Sequence, residues 1–74
     1  MITVIVLDHH GQPVRHARVH ISWGSGGFFD TFSNATTGGD GAAYINTGPG
    51  TGTISVDGRE VRRGYLEGQI IVQV

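Results

Sequence analysis

Val14-Arg15-His16-Ala17-Arg18-Val19-His20-Ile21-Ser22-Trp23 is the stretch that decides the fold class. Ala17, Val19, Ile21 and Trp23 fall on one face at a period of two, and His16, Arg18, His20 and Ser22 fall on the other. Successive side chains of a strand point to opposite faces, so this stretch is a strand with one dry side and one wet side. That is the pattern of an antiparallel sheet packed on one face.

The same reading extends in both directions. Upstream, Ile2 to Asp8 is a strand, and Asp8-His9-His10-Gly11-Gln12-Pro13 is a turn, because Gly11 frees φ and Pro13 has no N–H for a ladder. Downstream, Gly24-Ser25-Gly26-Gly27 breaks the chain and Phe28 to Ser33 forms a third strand. Asn34 to Gly41 is turn-rich and ends in Asp40-Gly41, a hairpin signal. Ala42 to Asn46 is a strand, Thr47 to Gly52 a glycine-proline loop, and Thr53 to Asp57 a strand closed by Asp57-Gly58. Glu60 to Arg63 and Gly68 to Val74 complete the series. Six or seven short strands at regular spacing, with no helical periodicity, predict an all-β sandwich in a single domain spanning residues 1–74. The strands are expected to be antiparallel.

Composition narrows the chemistry. No cysteine is present, which excludes disulfides, thiolate zinc sites and thiol catalysis. The five basic residues are all arginines, so no lysine Schiff base or lysine isopeptide crosslink can form. Only 15% of residues are charged and the net charge is −1, which argues against a nucleic-acid partner. The longest apolar run, Val4 to Leu7, is far too short for a helical membrane span, and no membrane insertion is expected. No signal-peptide pattern opens the chain. At this length the core is thin, so packing on a neighbouring domain or subunit, including a second copy, is an expected source of stability.

Two stretches carry a family resemblance. Val4 to Ile21, VIVLDHHGQPVRHARVHI, resembles the opening of carboxypeptidase regulatory-like domains: a strand ending in Asp, then Gly-x-Pro, then a small-x-Val strand. Thr36 to Gly58, TTGGDGAAYINTGPGTGTISVDG, is similar to the family's threonine-rich turn, Asp-Gly turn, strand, Pro-Gly loop and returning strand. The resemblance implies a seven-stranded, antiparallel, prealbumin-like (transthyretin-like, Ig-like) sandwich. It also implies a non-catalytic accessory module beside an enzyme, receptor or adhesin, with an extracellular or cell-surface setting, although the residues themselves assign no compartment. In the related transthyretin-like hydrolases a histidine opens the motif where this chain has Ile5, so that activity is not expected.

No catalytic or metal-binding set and no cofactor site emerges. His16 and His20 lie about 13 Å apart if they share a strand, too far to hold one ion. Asp8, Asp40 and Asp57 sit at turns, where Asx hydrogen bonds explain them. Gly48-Pro49-Gly50-Thr51-Gly52 leads into a strand, whereas phosphate loops lead into a helix. The candidate partner or ligand surface is aromatic: Phe28, Phe29, Phe32 and Tyr65. Exposed rings dock protein partners or stack on sugars, so carbohydrate is the alternative ligand. Ile5 and Leu7, opposite Val4 and Val6, point to a first sheet covered on both sides.

Overall fold

The alternation resolves into seven strands: β1 (Ile2–Leu7), β2 (Arg18–Ser25), β3 (Phe28–Thr36), β4 (Ala42–Ile45), β5 (Gly50–Val56), β6 (Arg59–Leu66) and β7 (Gln69–Gln73). The structure is a computed structural model. It describes residues 1–25 and 28–74, except for the side chains of residues 25 and 28–30. The strands form two sheets, one ordered β4-β1-β7 and the other β3-β2-β5-β6. Ile2, Val4 and Val6 of β1 face Val19, Ile21, Ile54, Val56 and Leu66 of the larger sheet in one buried cluster, joined by Ala43, Ile45, Ile70 and Val72. Trp23 packs against this cluster and donates its indole N–H to Ser33 Oγ at 2.9 Å. Gly50 and Gly52 make room for that ring: a Cβ on Gly52 would lie 2.8 Å from the Ser22 carbonyl oxygen and 3.3 Å from the indole.

Strand direction differs from the expectation at one pairing. β1 pairs antiparallel with β4 but parallel with β7, so the sandwich is not antiparallel throughout. Alternation specifies which face a side chain takes, not which strand lies alongside or in which direction. The direction of β7 is set by the crossover at Glu67 and Gly68, which carries the chain from the larger sheet to the smaller one.

Several boundaries also move. Residues 14–17 are not part of β2. Val14 still bonds to Val6 of the smaller sheet (N···O 2.9 Å), whereas Arg18 opens the larger sheet, so the intervening residues switch sheets. His16 takes φ 60° at this switch, which removes it from the strand that carries His20. β3 continues to Thr36 because the long β2 ladder pairs Arg18 with Thr36. Asp40-Gly41 is a turn but not a hairpin, since β3 and β4 belong to different sheets. Asp57-Gly58 is a true hairpin: both residues have positive φ (51° and 86°), as a type I′ turn requires. β6 runs on to Leu66, well past Arg63.

Thr37, 2% exposed, ties the sheet-switching segment down. Its Oγ1 accepts the Ala17 N–H at 2.9 Å and donates to the Val14 carbonyl at 2.7 Å, while its backbone exchanges bonds with His16 and Ala17. Gly41 closes the adjoining arch, where a Cβ would lie 2.8 Å from Pro13 Cβ and 2.9 Å from the Val6 oxygen.

Candidate functional site

With the core filled, each sheet offers one outer face. On the larger sheet, the residues opposite the buried row are Arg18, His20 and Ser22 of β2, Phe32 and Asn34 of β3, Ser55 of β5, and Glu60, Arg63 and Tyr65 of β6. The register places His20 between Asn34 and Ser55. The His20 Nδ1–H donates to Asn34 Oδ1 at 2.7 Å, and the imidazole stacks on Phe32 with centroids 5.5 Å apart. At the end of the strand, Asp57 Oδ1 accepts the Arg18 N–H at 3.0 Å, held there by the tight turn. Arg18, His20, Asn34, Asp57 and Gly58 line an open cleft of about 520 Å³. Further across, Arg63 pairs with Glu60 at 2.8 Å in solvent, a contact worth about 1 kcal/mol or less.

On the smaller sheet, the residues opposite Val4, Val6, Ala43, Ile70 and Val72 are Thr3, Ile5 and Leu7 of β1, Ala42 and Tyr44 of β4, and Gln69, Ile71 and Gln73 of β7. None of them is charged. Tyr44 is 59% and Ile71 56% exposed and Ile5 and Leu7 are half-buried, whereas Ala42 is buried beside the turn, where the Asp40 carboxylate accepts the Ala42 N–H at 3.0 Å and the Tyr44 hydroxyl at 3.4 Å.

Of the aromatic residues singled out from sequence, Phe32 and Tyr65 are exposed on the larger sheet's outer face. They stand on β3 and β6, the two edges of that sheet, three strand spacings or about 14 Å apart, and do not form one platform. Phe28 and Phe29 pair through their backbones with Ser25 and Gly24, and their side chains lie outside the described residues. Among the described residues no group of three His, Asp or Glu side chains converges as a metal site. His9 and His10 lie against each other at the first turn, centroids 4.0 Å apart, and Asp8 Oδ1 takes the N–H groups of His10 and Gln12 there.

Sequence reading missed three contributors. Asn34 sat in an expected loop, and only the β2–β3 register brings it to His20. Tyr44 and Ile71 belong to strands that alternation identifies, but their shared exposure follows from the order β4-β1-β7, which alternation does not encode. In comparisons with protein-family models, curated proteins and solved structures, nothing matches this chain.

Proposed function

We propose that this chain is a prealbumin-like sandwich of the carboxypeptidase regulatory-like kind, serving as a non-catalytic interaction module. It joins a neighbouring protein domain or subunit through the outer face of the β4-β1-β7 sheet. The observation that carries this reading is the face itself, whose strand residues are uncharged: Ile5, Leu7, Tyr44 and Ile71 form an apolar surface with only Thr and Gln among them, and the Asp40 carboxylate stands at its β4 rim against the Tyr44 hydroxyl. Contiguous exposed apolar surface on a small protein is the usual mark of a protein-contact site. Seven strands in two facing sheets, with the type I′ turn at Asp57-Gly58, support the fold assignment. Binding here is by shape and burial, with no bond made or broken.

The test places a photo-crosslinking benzoylphenylalanine at Ile71 in one version of the chain and at Arg63 in another, both expressed in the native host. Discrete protein adducts from the first version alone are the expected result. Equal adducts from both, or none from the first, would end the reading.

A second reading, carbohydrate binding on the larger sheet, is favoured by one observation: Phe32, 57% exposed and stacked on His20, stands beside the polar cleft. Sugars pair an aromatic face with amide and charged groups in this way. Amide NMR shifts at His20, Phe32 and Asn34 on adding a panel of oligosaccharides test it. An unchanged spectrum across the panel rejects it.

A further inference from the structure

The cleft on the larger sheet is built from residues whose hydrogen-bonding capacity is only half spent. Arg18 and Asp57 meet through the backbone: the Asp57 N–H donates to the Arg18 carbonyl at 2.9 Å, and Asp57 Oδ1 accepts the Arg18 N–H at 3.0 Å. Asp57 Oδ2 is left without a partner among the described residues. The Arg18 guanidinium makes no ion pair with it, nor with any other carboxylate among the described residues. His20 commits its Nδ1–H to Asn34 Oδ1, so the neutral imidazole keeps Nε2 as an acceptor and Asn34 keeps its NH2 as a donor. At the turn, Gly58 takes φ 86° and, its chain neighbours aside, nothing lies within 4 Å of where a Cβ would stand. The backbone there is open to a ligand.

These groups select a ligand by charge and by shape. A guanidinium presents a planar fork of N–H donors that matches a carboxylate. Arg18 is the one arginine lining the cleft and Asp57 stands beside it, so a single negative charge is matched, whereas a dianionic phosphate would face the Asp57 carboxylate uncompensated. Asp57 Oδ2 and His20 Nε2 are acceptors, and they call for hydroxyl groups on the same ligand. Phe32, 57% exposed and stacked on His20, adds an apolar ring beyond them. Phe32 pairs with Ser22, which lies four residues along β2 from Arg18, a separation of about 13 Å. A guanidinium at one end, a ring at the other and acceptors between them suit a short chain of sugar rings better than a single ring.

Resting on the carbohydrate reading of this face, we infer that the cleft takes a uronate oligosaccharide. Its carboxylate meets Arg18, its hydroxyls donate to Asp57 Oδ2 and His20 Nε2, and a neighbouring sugar lies against Phe32. A neutral oligosaccharide would give the guanidinium only hydroxyl oxygens. An acidic peptide would bring carboxylates without the array of hydroxyls that Asp57 and His20 accept. The cleft and the apolar face of the smaller sheet lie on opposite outer faces of the sandwich, so a sugar here leaves the protein-contact surface free.

The experiment titrates the full chain, labelled for amide NMR, with trimers of galacturonate, mannuronate and guluronate. Each is paired with its methyl ester, which keeps the sugar skeleton and removes the charge, and triglutamate serves as the acidic peptide. At least one uronate trimer is expected to shift the amides of Arg18, His20, Phe32, Asn34 and Gly58. Its ester should bind about fivefold more weakly, the size of one favourable exposed ion pair. Arg18→Gln, which keeps the backbone bonds to Asp57, should erase that difference, whereas Arg62→Gln, a cation that does not line the cleft, should preserve it. Equal binding of acid and ester overturns the inference and keeps the carbohydrate reading. No shifts with any trimer or ester at millimolar concentration overturn both. Tighter binding of triglutamate than of every uronate overturns the inference in favour of an acidic peptide. Shifts confined to residues outside the cleft, or an acid preference that survives Arg18→Gln, overturn it as well.

Discussion

The two outer faces of the sandwich are built on one core and differ in almost everything else. The larger sheet turns out Arg18, His20, Asn34, Glu60 and Arg63, already engaged with neighbours or solvent through Asn34–His20, Phe32–His20 and Glu60–Arg63 contacts. The smaller sheet turns out Thr3, Ile5, Leu7, Tyr44, Gln69, Ile71 and Gln73, with no charge among them. A charged, internally paired face is at rest in water. An uncharged face with half-buried Ile5 and Leu7 gains by being covered. The proposed function follows this contrast, with protein contact on the smaller sheet and solvent or a polar ligand on the larger.

Changes at the shared core should abolish the contrast by unfolding both faces together. Ile54 has no exposed surface and sits at the centre of the larger sheet's inner row. Ile54→Ala should cost about 3 kcal/mol. For a thin core this is a large share of the total stability, and urea unfolding followed by fluorescence of Trp23 should show a single, strongly shifted transition. Separate transitions for the two sheets would mean that the faces do not share one cooperative core.

Thr37→Val keeps the shape but removes the hydroxyl that serves Ala17 and Val14 where the chain changes sheets. A buried N–H and a C=O are left without partners, at an expected cost of about 2 kcal/mol. Thr37→Ser, which keeps the hydroxyl, should recover most of it. Equal losses for Val and Ser would mean that packing of the methyl, not the hydroxyl, holds the switch.

Asp57→Ala acts on the polar face alone, and more weakly. It removes the acceptor for the Arg18 N–H and puts alanine at φ 51°, for about 1 kcal/mol in all. Asp57→Gly loses the same acceptor without the strain, so its cost should be smaller. The difference between the two, read from thermal midpoints, gives the strain less the extra chain entropy that glycine loses on folding.

How much of this was legible in the sequence follows from what alternation encodes. It placed Ala17, Val19 and Ile21 inside and Arg18, His20 and Ser22 outside, because a period of two is a local property of the chain. It did not foresee that β1 runs parallel to β7, because pairing between the ends of the chain leaves no local trace. His16 continues the alternation of the strand, and its positive φ comes from bonds to Thr37, distant in sequence. Gly50 and Gly52 carry the signal of a loop, yet they answer to Trp23 on the neighbouring strand and not to a turn. Of the candidate surface, Phe32 and Tyr65 could be found by residue type. Ile71 and Tyr44 became visible only when the strand order placed them on one face.

The smallest stability effects carry the sharpest test of the contrast. Ile71→Glu and Phe32→Ser each replace an exposed side chain and should leave the unfolding midpoint within about 0.5 kcal/mol of the parent. Their consequences for association should nevertheless diverge. A glutamate at position 71 puts a charge at the centre of the β7 row, between Gln69 and Gln73, on a face whose other strand residues are uncharged. Covering that face would then strand a carboxylate, a cost of several kcal/mol, so protein contact there should be lost. A serine at position 32 removes only the ring stacked on His20, on a face that already carries charge, and should leave protein contact intact. Photo-crosslinking from Leu7, half-buried on the same face as Ile71, reads both variants. Adducts surviving Ile71→Glu but lost with Phe32→Ser would reverse the assignment of the two faces.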